Sequence, residues 1–155
     1  MNRETIYIGC DPGSSGGFVI LSSSGEVLDV FKTPTSAIEY QDALKKYSDF
    51  DKYRVILVKE KVHSQPRHGG KANFTFGHTI GVLETALHFM KITYFDITPQ
   101  SWMKYYMMKK DKQETQTEWK KRLLVKAKLT FPGKQVYLWN ADAFLIAFYA
   151  MQVYR

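Results

Sequence analysis

Three acids fall where the backbone would hold a carboxylate still. Asp11 ends the apolar run Thr5-Ile6-Tyr7-Ile8-Gly9-Cys10 and opens the turn DPGSSGG. Glu60 ends a second run, Val55-Ile56-Leu57-Val58-Lys59-Glu60. Asp142 stands in the first turn of an apolar stretch that begins Asn140-Ala141-Asp142-Ala143. If the two runs are neighbouring strands, Asp11 and Glu60 project from adjacent carboxyl ends. A helix N-terminus nearby would bring Asp142 to the same point. Carboxylate oxygens of this kind suit Mg²⁺ or Mn²⁺ and do not suit zinc. Each acid also has a plainer use. Asp11 would cap the Pro-Gly turn, Glu60 would be a surface residue between Lys59 and Lys61, and Asp142 would favour the helix dipole. The glycine-rich turn admits one more reading, a loop that cradles a phosphate.

The elements needed to position these acids can be read from the pattern. Residues 5–10, 17–21 and 27–31 are short apolar runs, and Ser22-Ser23-Ser24-Gly25 between the last two signals a hairpin. Thr33-Pro34-Thr35-Ser36 reads as a helix entry, followed by Ile38, Ala43, Leu44 and Tyr47 near helical spacing. Residues 53–58 are β-branched and apolar, which predicts a buried strand. A helix is expected over 74–90, with Gly77 and Gly81 four apart, and a fifth strand over 92–97. Pro99 and Ser101 start a helical stretch. Residues 114–129 form another, with Trp119, Leu123 and Ala127 on one stripe, and 140–154 a last apolar helix. Three strands, helix, strand, helix, strand, then helices predicts an α/β fold, a mixed five-stranded sheet flanked by helices.

Length and composition narrow the class. A chain of 155 residues fits one domain, 1–155, with one core. Hydrophobic content of 45% against 24% charged reads as globular rather than disordered. The longest apolar run, 144–151, falls far short of the about 20 residues that span a membrane. The start, Met-Asn-Arg-Glu-Thr, has no signal-peptide core. A single Cys10 argues against a disulfide framework and a cysteine-rich zinc site. A cytoplasmic protein, in a bacterium or an infected host cell, is the expectation. The net charge of +7 is concentrated: residues 104–128 hold nine Lys or Arg against three acids. Such clustering attracts a polyanion, nucleic acid above all, although a charge run also serves solubility alone.

In series, these segments resemble a family. "GCDPGSSGG", "VILVKEKVHSQP", "FTFGHTIGVLETAL", "ITPQSW" and "ADAFLIA" follow one another as in the RuvC-like Holliday junction resolvases of the RNase H-like superfamily. The chain is most similar to the compact versions carried by phages. The resemblance covers nearly the whole chain and implies an RNase H-like fold, with Asp11, Glu60 and Asp142 as catalytic metal ligands. It departs at one place. The family has a further acid, or His, three or four residues before the last Asp, where this chain has Trp139 and Leu138. Asn140 would offer a neutral oxygen to a metal there, or serve as the helix N-cap.

The resemblance further implies hydrolysis of a phosphodiester by two Mg²⁺ or Mn²⁺ ions, which position water and neutralise charge at phosphorus. Asp11 would bridge the ions, Glu60 would complete the leaving-oxygen side and Asp142 the water side. The substrate would be branched DNA, a four-way junction, and its two-fold symmetry calls for a homodimer. The helix with Gly77 and Gly81 is the expected interface. Lys104, Lys109, Lys110, Lys112, Lys121 and Arg122 would hold the backbone, with Lys61, Arg67 and Lys71 nearer the cut strand. Phe74 and Phe76 would wedge at the branch point or pack at the helix start. His63 and His68 would move protons or touch DNA.

Two other classes compete. DPGSSGG also resembles the phosphate loop of actin-like ATPases and sugar kinases, but that fold needs two domains around the nucleotide. A non-catalytic DNA-binding module with the same fold is the other, and the missing fourth acid is its argument. Within the nuclease class, other branched DNA or an RNA–DNA hybrid remains open as substrate.

Overall fold

The computed structural model describes residues 3–62 and 69–154. Strand β1 (Glu4–Asp11) is central, because its side chains are buried to both sides. Tyr7 joins one apolar cluster, and Ile6, Ile8 and Cys10 join another. Strand β2 (Gly17–Ser22) divides the same way, Val19 and Leu21 to the first cluster and Phe18 and Ile20 to the second. Period-two alternation with both faces apolar is what a strand covered on both sides requires. Strands β3 (Val27–Lys32), β4 (Tyr53–Glu60) and β5 (Tyr94–Ile97) complete a sheet of order β3-β2-β1-β4-β5. β1 pairs antiparallel with β2, and β2 with β3, whereas β1–β4 and β4–β5 are parallel. This is the mixed five-stranded α/β sheet that the element order predicts.

Helices α1 (Ala37–Leu44) and α2 (Gly70–Phe89) cover the second cluster through Tyr40, Leu44, Leu83 and Leu87. Helices α3 (Pro99–Tyr105), α4 (Gln116–Thr130) and α5 (Ala141–Val153) cover the first, with Trp102, Trp119, Leu123 and most of α5. Local chemistry sets the boundaries. Ser36 and Thr98 accept from Glu39 N–H and Ser101 N–H, and Pro99 opens α3. Thr115 and Glu118 form a reciprocal capping box on α4.

Two boundaries differ from expectation. β5 begins at Tyr94 rather than 92. Ile92 N–H donates instead to Leu87 O at 2.9 Å, closing α2 after Lys91 turns left-handed at φ 57°. α2 begins at Gly70 rather than 74 because its first turn is exposed and carries no apolar period. No described helix is long and apolar enough to cross a membrane.

One contact sets the position of α5. A Cβ on Gly9 would stand 2.3 Å from both Ala143 O and Ala147 N. The missing side chain lets the helix backbone lie directly on the central strand.

Candidate active site

Strand parity decides which face each acid takes. Asp11 shares parity with Tyr7 and Gly9, and Glu60 with Ile56 and Val58, so both belong to the α5 face. Cys10 pairs with Lys59 across the parallel β1–β4 ladder, which makes Asp11 and Glu60 the next residues along two adjacent strands. Asp142 sits in the first turn of α5, the helix seated on Gly9. The three carboxylates therefore meet at one end of the sheet. Their mutual effect is felt: burial first, then the charges of Asp142 and Glu60, raise the Asp11 pKa well above the carboxylate range. Burial chiefly pushes Glu60 up to about 6, with Asp142 adding to the rise.

Two side chains that the sequence reading did not single out hold this cluster. The buried Trp102 donates its indole Nε1–H to Glu60 Oε2 at 2.7 Å, which fixes the carboxylate rotamer. Lys120 donates Nζ–H to Asp142 Oδ2. Burial alone would lower the Lys120 pKa, but the facing carboxylate outweighs it and the ammonium is held charged. Trp102 lay in view within ITPQSW, but nothing in a lone Trp distinguishes a donor from core. Lys120 was one cation among nine in its segment. Its helical offset of one from buried Trp119 was the available signal.

A divalent ion fits the chemistry of this donor set. All three groups are carboxylates, and Asp142 Oδ1 is buried without a hydrogen-bond partner. Among the described residues, however, no three acids, His or Cys close tightly enough to ligate an ion as they stand. The Lys120 ammonium supplies positive charge at Asp142 instead.

The remaining expected residues divide. Asn140 occupies the helix N-cap position without a side-chain cap bond. Its Oδ1 accepts from Tyr137 N–H at 2.7 Å and its Nδ2 donates to Gln135 O at 3.5 Å. Both polar atoms of the amide thus bond within its own turn. Arg122 places Nη1 at 3.0 and 2.9 Å from the two oxygens of Glu114 and its guanidinium 5.1 Å from the Trp119 ring. It braces the α4 entry and also lines the groove formed by the neighbouring lysines. Lys109, Lys110, Lys112 and Lys121 line an open groove of about 1020 Å³ together with Glu114 and Glu118. Lys61, Lys71 and Lys104 are exposed, and Phe74 is 77% exposed while Phe76 is half-buried. Arg67, His63 and His68 lie outside the described residues. Lys59, next to Glu60 in the chain, is buried on the opposite face between Glu84 at 3.0 Å and Asp96 at 2.7 Å.

No family model matches this chain, and no curated protein matches it in sequence. Solved structures do match. RuvC of T. thermophilus in complex with Holliday junction substrate superposes with a TM-score of 0.59 at 16% identity, over 96% of this chain and 96% of that one. A second Thermus thermophilus RuvC structure gives 0.57 at 17%, over 92% and 90%. The fold is that of RuvC.

Within this RuvC-like fold the buried acids carry a cost in the metal-free chain. Glu60 binds its proton more tightly folded, near pH 6, than at its ordinary value of 4.5. Its contribution to stability is fully present below about pH 4.5 and lost as pH rises through about 6. A shift of this size corresponds to about 2 kcal/mol. Metal-free protein in chelator is expected to lose stability between about pH 4.5 and 6, and Glu60→Gln to flatten that slope. Denaturant titrations at four pH values across that window check it; an unchanged slope in the variant would contradict the assignment.

Proposed function

We propose that this chain is a divalent-metal-dependent endonuclease that resolves four-way DNA junctions or related branched DNA. The meeting of Asp11, Glu60 and Asp142 on one face of a RuvC-like sheet carries this reading. These three carboxylates would hold one or two Mg²⁺ or Mn²⁺ ions, which supply charge neutralisation at phosphorus and an activated water. Trp102 would keep Glu60 in one orientation, leaving its Oε1 to face the site. Lys120 would orient the Asp142 carboxylate and add a cation beside the phosphate.

The groove between Lys109 and Lys121 supports a polyanion as partner. Phosphate contacts position DNA without reading its sequence. Lys109→Ala, Lys110→Ala and Lys121→Ala are each expected to reduce the log–log salt slope of binding by about 1, for linear and branched DNA alike. Fluorescence anisotropy between 50 and 200 mM salt (about the range over which such slopes are read) measures it. Slopes that stay at the wild-type value would remove the groove from the DNA path.

Junction preference would come from two subunits holding symmetric arms. On α2, a Cβ at Gly77 or Gly81 would meet nothing within 4 Å, so this face is free to receive a second copy. A second reading retains DNA binding without catalysis. The Lys120–Asp142 pair favours it, because the ammonium takes an oxygen that an ion would need. Incubation with synthetic four-way, three-way and linear DNA, with Mg²⁺ or Mn²⁺, separates the two. Paired symmetric nicks in the four-way substrate and little cutting of linear duplex are expected. Binding of all three without cutting would leave the second reading in its place.

A further inference from the structure

Beyond the carboxylates, the same end of the sheet carries a second feature. Gly17 on β2 pairs directly with Asp11 on β1, and Lys32 on β3 pairs directly with Gly17. Directly paired residues share a face, so Asp11, Gly17 and Lys32 form one lateral row on the α5 side. Trp139, which stands three residues before Asp142, closes over the middle of that row. A Cβ on Gly17 would lie 2.7 Å from Trp139 Cζ3 and 3.1 Å from Cε3, so only a bare backbone admits the ring. The Lys32 ammonium lies 5.6 Å from the Trp139 ring centroid. Lys32 is exposed, Trp139 is half-buried, and Tyr137 beside it is 50% exposed. A cation and an aromatic surface thus border the carboxylates on the side of the sheet away from Glu60.

That pairing matches the chemistry of a strand of nucleic acid, which offers a phosphate and a base face together. Two strand spacings of about 4.8 Å put the Lys32 backbone roughly 10 Å from that of Asp11. We propose that Lys32 and Trp139 form a second DNA contact beside the acids, Lys32 on a phosphate near the cut and Trp139 stacked on an unpaired base there. The inference rests on the nuclease reading and extends it: the groove at Lys109 to Lys121 holds one part of the substrate, and this pair holds the strand on the other side of the cut.

The test uses full-length protein and a synthetic four-way junction in chelator, so that nothing is cut. Of the three Trp in the chain, Trp102 and Trp119 are buried. Tryptophan fluorescence should therefore report mainly on Trp139 when DNA binds. Wild type is expected to show a quench that Trp139→Phe abolishes. Lys32→Ala is expected to reduce the log–log salt slope by about 1, whereas Lys45→Ala, a cation beside α1, should leave it unchanged. A quench that survives Trp139→Phe, or a Lys32→Ala slope equal to wild type, would overturn the contact while leaving the nuclease reading intact. Wild type that binds no DNA would overturn both.

Discussion

Asp11→Asn is expected to abolish junction cleavage, to spare junction binding, and to make the metal-free protein more stable at neutral pH. The three effects have one cause. Asp11 is buried beside two other carboxylates, and its pKa is raised by that burial and by Asp142 and Glu60. The folded chain therefore carries an acid whose ionised form its surroundings disfavour. An amide of the same shape removes the charge and keeps the packing. A gain of each kcal/mol would raise Tm by roughly 2–4 °C for a chain of this size. The cost would fall on chemistry: if Asp11 holds the metal as proposed, losing it removes charge stabilisation at the reacting phosphate, at least about 10²–10³ in rate. Thermal melts in chelator and single-turnover cleavage of the same junction measure the two sides. A variant that cuts at the wild-type rate, or that melts lower in chelator, would contradict the placement of Asp11.

Gly9→Ala is expected to do the reverse, destabilising the fold by about 3 kcal/mol or more. Overpacking a core side chain usually costs about 1–3 kcal/mol because neighbours can turn aside. Here the added methyl meets Ala143 O and Ala147 N at 2.3 Å, and helix backbone cannot turn aside. α5 must lift off β1, taking Asp142 with it, so cleavage should fall further than the loss of folded protein explains. Gly77→Ala gives the contrast. Its Cβ meets nothing, and replacing Gly in a helix interior gains about 0.5–1 kcal/mol. Urea midpoints for both variants check the pair. A Gly9→Ala protein as stable as wild type would mean that α5 does not rest on the central strand.

The central strands and the position of the acids were legible because burial on both faces leaves a continuous apolar run that ends where burial ends. Asp11 and Glu60 mark those ends. Their sharing of one face was not legible, since it depends on β1 and β4 being neighbours, which no local pattern states. Lys59 shows the limit. It is a buried cation whose partners Glu84 and Asp96 come from α2 and β5, which the local sequence does not show. Trp102 and Lys120 were missed for the same reason: the groups they hold lie 42 and 22 residues away. Asn140 was read as a ligand or a cap, and its bonds to Tyr137 and Gln135 run backward into a turn that has no periodicity to betray it. Arg122 is one cation among nine in its segment, and its bond to Glu114 across the α4 entry depends on a fold of the chain that no local pattern states.

The central claim is that Asp11, Glu60 and Asp142 act as one cation site, and calorimetric titration of Mn²⁺ into the DNA-free protein tests it most directly. Carboxylates with raised pKa values must lose protons to take up a metal, so binding near pH 6 should release protons and its heat should depend on the buffer. Wild type is expected to bind with that signature, and Asp11→Asn, Glu60→Gln and Asp142→Asn each to weaken it by at least about 10-fold. Mn²⁺ binding that is equally tight in all three variants, or no binding by wild type, would contradict the account.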